Sequence, residues 1–417
     1  MSLPRVVVTG LGALTPIGNT ADEYWQGLMA GKSGAASITH FDAEKFKTQF
    51  ACEVKNFDVN DHIDRKEARR MDRYAQYAMV TATEAIEHSG ILNTDLNLDR
   101  VGVIWAAGIG GLVTFHEEVS NYALGDGTPR FNPFFIPKMI PDIAAGLISI
   151  KYNFRGPNFA PVSACASSTH ALGVAFDQIR LDKADVVVAG GSEAAVSIPG
   201  IGGFNAMKAL SERNDDPKTA SRPFDVDRDG FVLGEGAGGV ILESLEHAKA
   251  RGATIYAELV GTGLTADAHH MTAPHPEGLG AQNVMKMALK EAKMQPSDID
   301  YINVHGTSTP LGDIAEITAI LQVFGDHAYD LNISSTKSMT GHLLGAAGAI
   351  EAVACILAIK NNIVPPTINH FTDDPEIDQN LKLTYNTPVE REVDAALSNT
   401  FGFGGHNASV IFKKFVD

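Results

Sequence analysis

Cysteine is scarce in this chain: 417 residues hold only three, Cys52, Cys165 and Cys355, far apart from one another. Thiols so few and scattered form neither a disulfide framework nor a four-ligand zinc site, which leaves each free for packing or for chemistry. Basic residues are also in deficit, 33 Lys and Arg against 50 Asp and Glu, for a formal net charge of -17. An acidic surface opposes phosphate backbones, so no nucleic acid partner is expected, and any anionic partner must find a local cationic patch. No window approaches the roughly 20 uninterrupted apolar residues of a membrane span, and the opening MSLPRVVVTG lacks a signal-peptide pattern. These absences predict a cytoplasmic protein with no membrane partner.

The composition, 44% hydrophobic and 20% charged, is that of a globular protein long enough for two domain-sized cores. The 40 glycines tend to follow apolar runs, as in VVVTGLGALTPIG, VGVIWAAGIGG and VVVAGGSEA, so short buried strands end in tight loops, which is the grammar of an α/β fold. The pattern repeats. Val6 to Gly18 is echoed by Ala257 to Thr265, the helical stretch from Ala75 by that from Ala281, and the strand Val101 to Trp105 by Tyr301 to His305. Asn158 to Cys165, a strand and turn feeding a helix of small residues, is echoed by Asn332 to His342. Two related halves follow, residues 1–254 and 255–417, with insertions at 110–155 and 200–232 as walls of a site or a subunit interface. By this correspondence His342 takes the place in the second half that Cys165 takes in the first. The helices after these two residues are predicted to be central, and Glu351, the one charge within residues 343–359, then requires a partner.

Three apparent motifs fail. Gly10-Leu11-Gly12 has Thr15 where a dinucleotide fingerprint needs glycine, and Gly31-Lys32-Ser33 is preceded by Gly27, one position off the phosphate-loop spacing. His269, His270 and His275 lie in a loop-like segment without a cysteine or acidic cluster to complete a metal site. Cys165 is different, because it sits at a predicted strand-to-helix turn, where the helix dipole and free backbone N–H groups favour a thiolate and can bind an oxyanion. Cys355 and Cys52 read as small buried hydrophobes. His305 and His342 lie in glycine-marked turns, with Lys337 five residues before the second, and matched histidine turns point to function. Arg65 to Arg73 is a basic segment whose cations at 65, 69 and 73 are predicted on one helical face.

The runs Ser163-Ala164-Cys165-Ala166-Ser167, His305 through Pro310 and Asp313, Ser335-Thr336-Lys337 through Gly348, and Asn399 through Asn407 resemble the β-ketoacyl-acyl carrier protein synthases, most of all their type II elongating members. The resemblance implies a thiolase fold, five-layered α-β-α-β-α with two pseudo-twofold related halves, and a homodimer. It implies that Cys165 accepts an acyl chain from acyl carrier protein, with the N–H groups of Cys165 and Phe403 as oxyanion hole. His305 and His342, as neutral imidazoles, would then support decarboxylative condensation with malonyl-acyl carrier protein. Lys337 would pair with Glu351 or Asp313. Thr272, Thr307 and Thr309 would bind pantetheine, and Ile109 and Phe204 would line the acyl pocket. Phe403 would be a gate hinged at Gly402 and Gly404, and Arg69, Arg70, Arg130 and Lys208 a carrier-docking surface. No cofactor is required, since phosphopantetheine arrives on the carrier. A structural Na or K ion near Asn303, Glu351, Ser398 and Asn399 completes the implied set. The rival readings are a polyketide ketosynthase subunit, a degradative thiolase, and a carrier-binding scaffold without catalysis.

Overall fold

Alternation is absent from the strands Val6–Leu14, Val101–Ala106 and Val186–Glu193, whose residues are buried on both faces, so each must be covered above and below by other layers. The computed structural model describes residues 3–417 and meets this need with two sheets and three helical layers. In the first half the strands are β1 (Val6–Leu14), β2 (Val101–Ala106), β3 (Asn158–Phe159), β4 (Val186–Glu193) and β5 (Gly236–Ser244). The second half has β6 (Ala257–Ala266), β7 (Tyr301–Asn303), β8 (Asn332–Ser334), β9 (Ala395–Gly402) and β10 (His406–Lys413). The spatial order is β3-β2-β4-β5-β1 in one and β8-β7-β9-β10-β6 in the other, the same topology twice. In both, the second strand runs parallel to its two neighbours and the last two pairings are antiparallel. A short antiparallel pairing of Val6–Val8 with Ala257–Leu259 joins the sheets.

Five helices define the layers: α1 (Arg73–Ser89), α2 (Ser167–Arg180), α3 (Leu279–Ala292), α4 (Pro310–Phe324) and α5 (Ala347–Asn361). α1 covers the outer face of the first sheet, and α3, with α4 beside it, covers that of the second. Between the sheets lie α2 and α5, each touching strands of both, which yields the expected α-β-α-β-α stack. The segment Leu344–Asn361 is long and apolar enough to cross a membrane by length and composition, yet 89% of it is buried in this core. Only α5 is apolar around its whole circumference, as a helix with a sheet on each side must be.

The internal symmetry corrects one sequence expectation. Both inner helices follow a three-residue 3₁₀ turn, Ala164–Ala166 and Leu344–Ala346, and both turns open on a residue with positive φ, Ala164 at 50° and Leu344 at 47°. The counterpart of Cys165 is therefore Gly345, and His342 lies three residues earlier. Sequence echoes locate a strand and a helix but not the register of the turn between them. The basic segment also departs from expectation. Arg65–Ala68 is a single turn, and a new helix, α1, starts at Arg73 under an Asp72 cap, because Ala68, Met71 and Asp72 are buried and bend the chain. Arg73 turns inward to Glu235 at 3.6 Å, so the cations at 65, 69 and 73 share no face.

The inner helices meet at their first turns. Ala349 N donates to Ser168 Oγ at 3.0 Å, and a Cβ on Gly348 would lie 1.9 Å from Thr169 Oγ1 and 3.0 Å from Thr169 N. Gly348→Ala is expected to cost about 1–3 kcal/mol by overpacking, read as a lower urea midpoint at unchanged slope.

Candidate active site

Cys165 occupies the middle of the turn ahead of α2. Ser163 N donates to Ser167 Oγ at 2.8 Å, and that hydroxyl donates to Ala164 O at 2.6 Å, so the turn is tied on both sides of the cysteine. The end of β9 passes so close that a Cβ on Gly402 would lie 2.7 Å from Ser163 O and 3.1 Å from Cys165 N. Only glycine permits that approach. It brings the Phe403 N–H, together with that of Cys165 itself, onto the sulfur. Burial pushes the thiol up to about 12, and the Glu193 carboxylate adds to this, while Lys337 and the two N–H groups pull the other way. The helix end acts in the expected direction, but desolvation outweighs it, and the resting sulfur is a neutral thiol.

His342 Nε2 lies 3.0 Å from Cys165 Sγ. Its backbone is clamped, since His342 N donates to Val232 O at 2.8 Å and Gly234 N donates to His342 O at 2.9 Å. The His305 ring stands 5.2 Å from that of His342, at 87°. Burial, reinforced by the Lys337 charge, holds both imidazoles well below their ordinary value, so both are neutral. Lys337 pairs with Glu351, whose carboxyl burial pushes up to about 7 against that cation. Asp313 does not share the lysine. It accepts from Phe224 N at 3.0 Å and Ser308 N at 3.2 Å and lies 3.5 Å from Arg228. The sequence reading missed Glu316, which accepts from His305 N at 2.9 Å and Gly306 N at 2.8 Å and so fixes the His305 turn. Its signal resembled the one that exposed Glu351: a carboxylate within an otherwise apolar helix, here shared with Asp313.

A cavity of about 580 Å³ opens onto these groups. Ile109, Phe204, Phe231 and Leu344 line it, and the last three pack in one apolar cluster with Cys165. Thr272, Thr307 and Thr309 also line it, the latter two with hydroxyls 3.2 Å apart, and exposed Lys208 stands at its rim. Of the two insertions only 200–232 contributes; among the described residues none of 110–155 reaches the cavity. Phe403 lines it too. Its flanking turn takes positive φ at Gly404 (88°) and Gly405 (75°), whereas Gly402 is needed for close approach to the nucleophile turn.

Arg69 and Arg70 are exposed, with Arg70 over the Phe134 ring at 5.1 Å, and Arg130 pairs with Asp126 at 3.2 Å. None of these three lines the cavity. Asn303 and Ser398 face each other in register on β7 and β9. Asn303 Oδ1, Ser398 Oγ and Glu351 Oε2 are buried without a hydrogen-bond partner, whereas Asn399 is already engaged by Ser409 and Glu316.

A histidine with an ordinary value near 6.5 is half protonated at that pH. His305 and His342 are expected to retain neutral-ring ¹⁵N shifts at pH 6.0 in labelled protein; an imidazolium pattern on either would contradict the burial argument.

Comparison with known proteins agrees with this geometry. Residues 4–248 match the β-ketoacyl synthase N-terminal domain and 256–371 the C-terminal domain. The chain is 50% identical over 412 residues to 3-oxoacyl-[acyl-carrier-protein] synthase 2 of Staphylococcus aureus strain N315, covering 99% of this chain and 98% of that one. It is 51% identical over 413 residues to the protein of that name in a Synechocystis strain, with the same coverage of 99% and 98%. Among solved structures, a β-ketoacyl synthase from Burkholderia phymatum superimposes with a TM-score of 0.92 at 36% identity, over 99% of this chain and 100% of that one. A type II polyketide ketosynthase bound to its acyl-carrier protein does so at 0.90 and 35%, over 100% of both chains. With both domains matched in order and half the residues identical to full-length relatives, the chain belongs to the β-ketoacyl synthase family.

Proposed function

We propose that the chain is an elongating 3-oxoacyl-[acyl-carrier-protein] synthase that lengthens fatty acyl chains by two carbons. The observation that carries this reading is the contact of Cys165 Sγ with His342 Nε2 at 3.0 Å, with two backbone N–H groups on the same sulfur, in a cavity with an apolar wall and three threonines. The relatives near 50% identity bear the name 3-oxoacyl-[acyl-carrier-protein] synthase 2, and the polyketide ketosynthase is more distant at 35%. Acyl carrier protein is the partner in the names of those relatives and in that polyketide complex.

Cys165 attacks the thioester carbon of acyl-carrier protein while His342 Nε2 takes the S–H proton. The carbonyl oxygen becomes an oxyanion held by the N–H groups of Cys165 and Phe403. Collapse expels the carrier thiolate, which takes the proton from His342, and the acyl group remains on sulfur. Malonyl-carrier protein then enters along Thr272, Thr307 and Thr309. Its carboxylate leaves as CO₂, and the electron pair moves onto the thioester oxygen as an enolate, which neutral His305 stabilises as a hydrogen-bond donor, as does His342 once its ring proton has moved from Nδ1 to Nε2. The enolate carbon attacks the acyl-cysteine, a β-ketoacyl carrier two carbons longer is formed, and the Cys165 thiolate that leaves takes up a proton from solvent to return to the resting thiol. Burial, reinforced by the charge of Lys337, which Glu351 holds in place, keeps both imidazoles neutral before this charge build-up.

The same reading includes a homodimer, supported by the edge strand β3 and by Phe115, Phe131 and Ile136, apolar side chains left exposed by the 110–155 insertion. It also includes a monovalent cation, Na or K, held by the partnerless oxygens of Asn303, Glu351 and Ser398, which would offset the second oxygen of Glu351. Arg69, Arg70, Arg130 and Lys208 would receive the acidic carrier.

Intact-mass spectrometry after mixing with acyl-carrier protein should find one acyl adduct, on Cys165, that disappears when malonyl-carrier protein is added. His305→Ala should leave adduct formation within about tenfold and lower condensation by about 10²-fold or more, the scale of a lost oxyanion donor. An enzyme that never acylates on Cys165 would refute the mechanism. Arg69→Glu with Arg70→Glu should raise KM for carrier-bound substrate and spare small thioesters; equal losses with both would sink the docking surface.

A further inference from the structure

Glu193 is the last residue of β4, fully buried, and among the described residues it takes part in no salt bridge. Its carboxylate instead collects backbone N–H groups. Oε2 accepts from Gly108 at 2.8 Å, Ile109 at 3.1 Å and Gly345 at 3.2 Å; Oε1 accepts from Gly110 at 3.0 Å and Ile109 at 3.2 Å. The mechanism above uses none of this, and an unpaired buried carboxylate is costly enough to need a reason.

The pseudo-symmetry supplies one. Gly345 is the counterpart of Cys165, and Glu193, as the end of β4, is the counterpart of Gly402, the end of β9. In the first half the Cys165 N–H faces the sulfur beside Gly402 and Phe403. In the second half the equivalent N–H of Gly345 is already occupied, by an anion the protein itself provides. The molecule therefore has one half-site open to a thioester oxygen and one closed by a side chain.

The closing anion also ties down three consecutive amides of a loop that touches both turns. A Cβ on Gly108 would lie 3.1 Å from Gly345 N and 3.3 Å from Ala164 O, and the next residue, Ile109, projects into the cavity that holds Cys165. We infer that Glu193 is a positioning residue for the acyl chain: it fills the vestigial oxyanion position of the second half and, from there, sets the place of Ile109 in the acyl pocket. Burial raises its carboxyl to about 7, and the four N–H groups act against that shift by favouring the anion. The inference rests on the reading of Cys165 as the acylated nucleophile.

Glu193→Gln preserves shape but replaces one acceptor oxygen with an NH₂ group. Each oxygen faces at least two N–H donors, so no rotamer satisfies the loop. Acylation rates on Cys165 would be measured by mass spectrometry for carrier-bound chains from four to sixteen carbons, alongside malonyl decarboxylation. The expected result is a change of at least fivefold in the ratio of long-chain to short-chain acylation, with decarboxylation altered less than threefold. In an Ile109→Ala background the same substitution should shift the ratio no further, and in Glu193→Ala, added formate should restore the wild-type ratio. Should Glu193→Gln fail to fold, Glu193→Asp, with its carboxylate one methylene short, gives the same readout in smaller measure. An unchanged ratio in a folded variant, or a uniform loss across all chain lengths and decarboxylation, overturns the inference. Absence of any adduct in the wild-type enzyme would instead refute the reading of Cys165.

Discussion

The contact between the first turns of α2 and α5 is the constraint on which the site depends. Each inner helix is covered by sheet on both sides, so neither can shift without opening a void in a core packed to crystal-like density. Ser168 Oγ, Thr169 and Gly348 fix how the two starts cross. That crossing sets the turn that carries Cys165 against the chain leading into α5, which carries His342, and the thiol and imidazole meet at 3.0 Å although 177 residues separate them. The two halves are copies of one topology, and the reaction is built at their contact because the helix starts, with their free N–H groups, converge there.

Burial then governs the electrostatics. The thiol and the carboxyls of Glu193, Glu316 and Glu351 are all pushed up, and both histidines are pushed down, because each loses water that would stabilise its charged form. Backbone amides and a single ammonium group offset the loss. Glu316 spends its oxygens on the amides of the His305 turn, Glu193 on those of the Ile109 loop, and Glu351 on Lys337. Two of these three carboxylates thus hold backbone in place, and Glu351 holds the ammonium group. They position the two imidazoles and the pocket wall, leaving the imidazoles uncharged, the state in which they can donate to a developing oxyanion.

The Phe403 turn and the cavity illustrate a second division of labour. Gly402 serves proximity, letting β9 run against the nucleophile turn, while Gly404 and Gly405 take the left-handed turn that follows. The Phe403 N–H reaches the sulfur because the first of these roles is met, and its ring reaches the cavity because the second is. Threonine hydroxyls and Lys208 then give that cavity a polar side where the 200–232 insertion and the His305 turn meet it.

Apolar periodicity and small-residue runs are local properties, and they determined the two-half α/β organisation and the buried inner helices, while the Cys, His, His and Lys set came from the turns that hold these residues and from the resemblance their flanking motifs carry. They also required a partner for Glu351, since a charge inside an apolar helix demands one wherever the helix lies. Register across the fold was decided only by tertiary packing. The pairing of Cys165 with Gly345 rather than His342 depends on where two 3₁₀ turns begin, and turn register leaves no periodic trace. The choice of Glu351 over Asp313 for Lys337, the break of the basic segment at Asp72, and the amide-filled carboxylates of Glu193 and Glu316 depend on which backbone donors arrive from distant strands. A sequence shows that a buried carboxylate must be satisfied; only the folded chain decides by what.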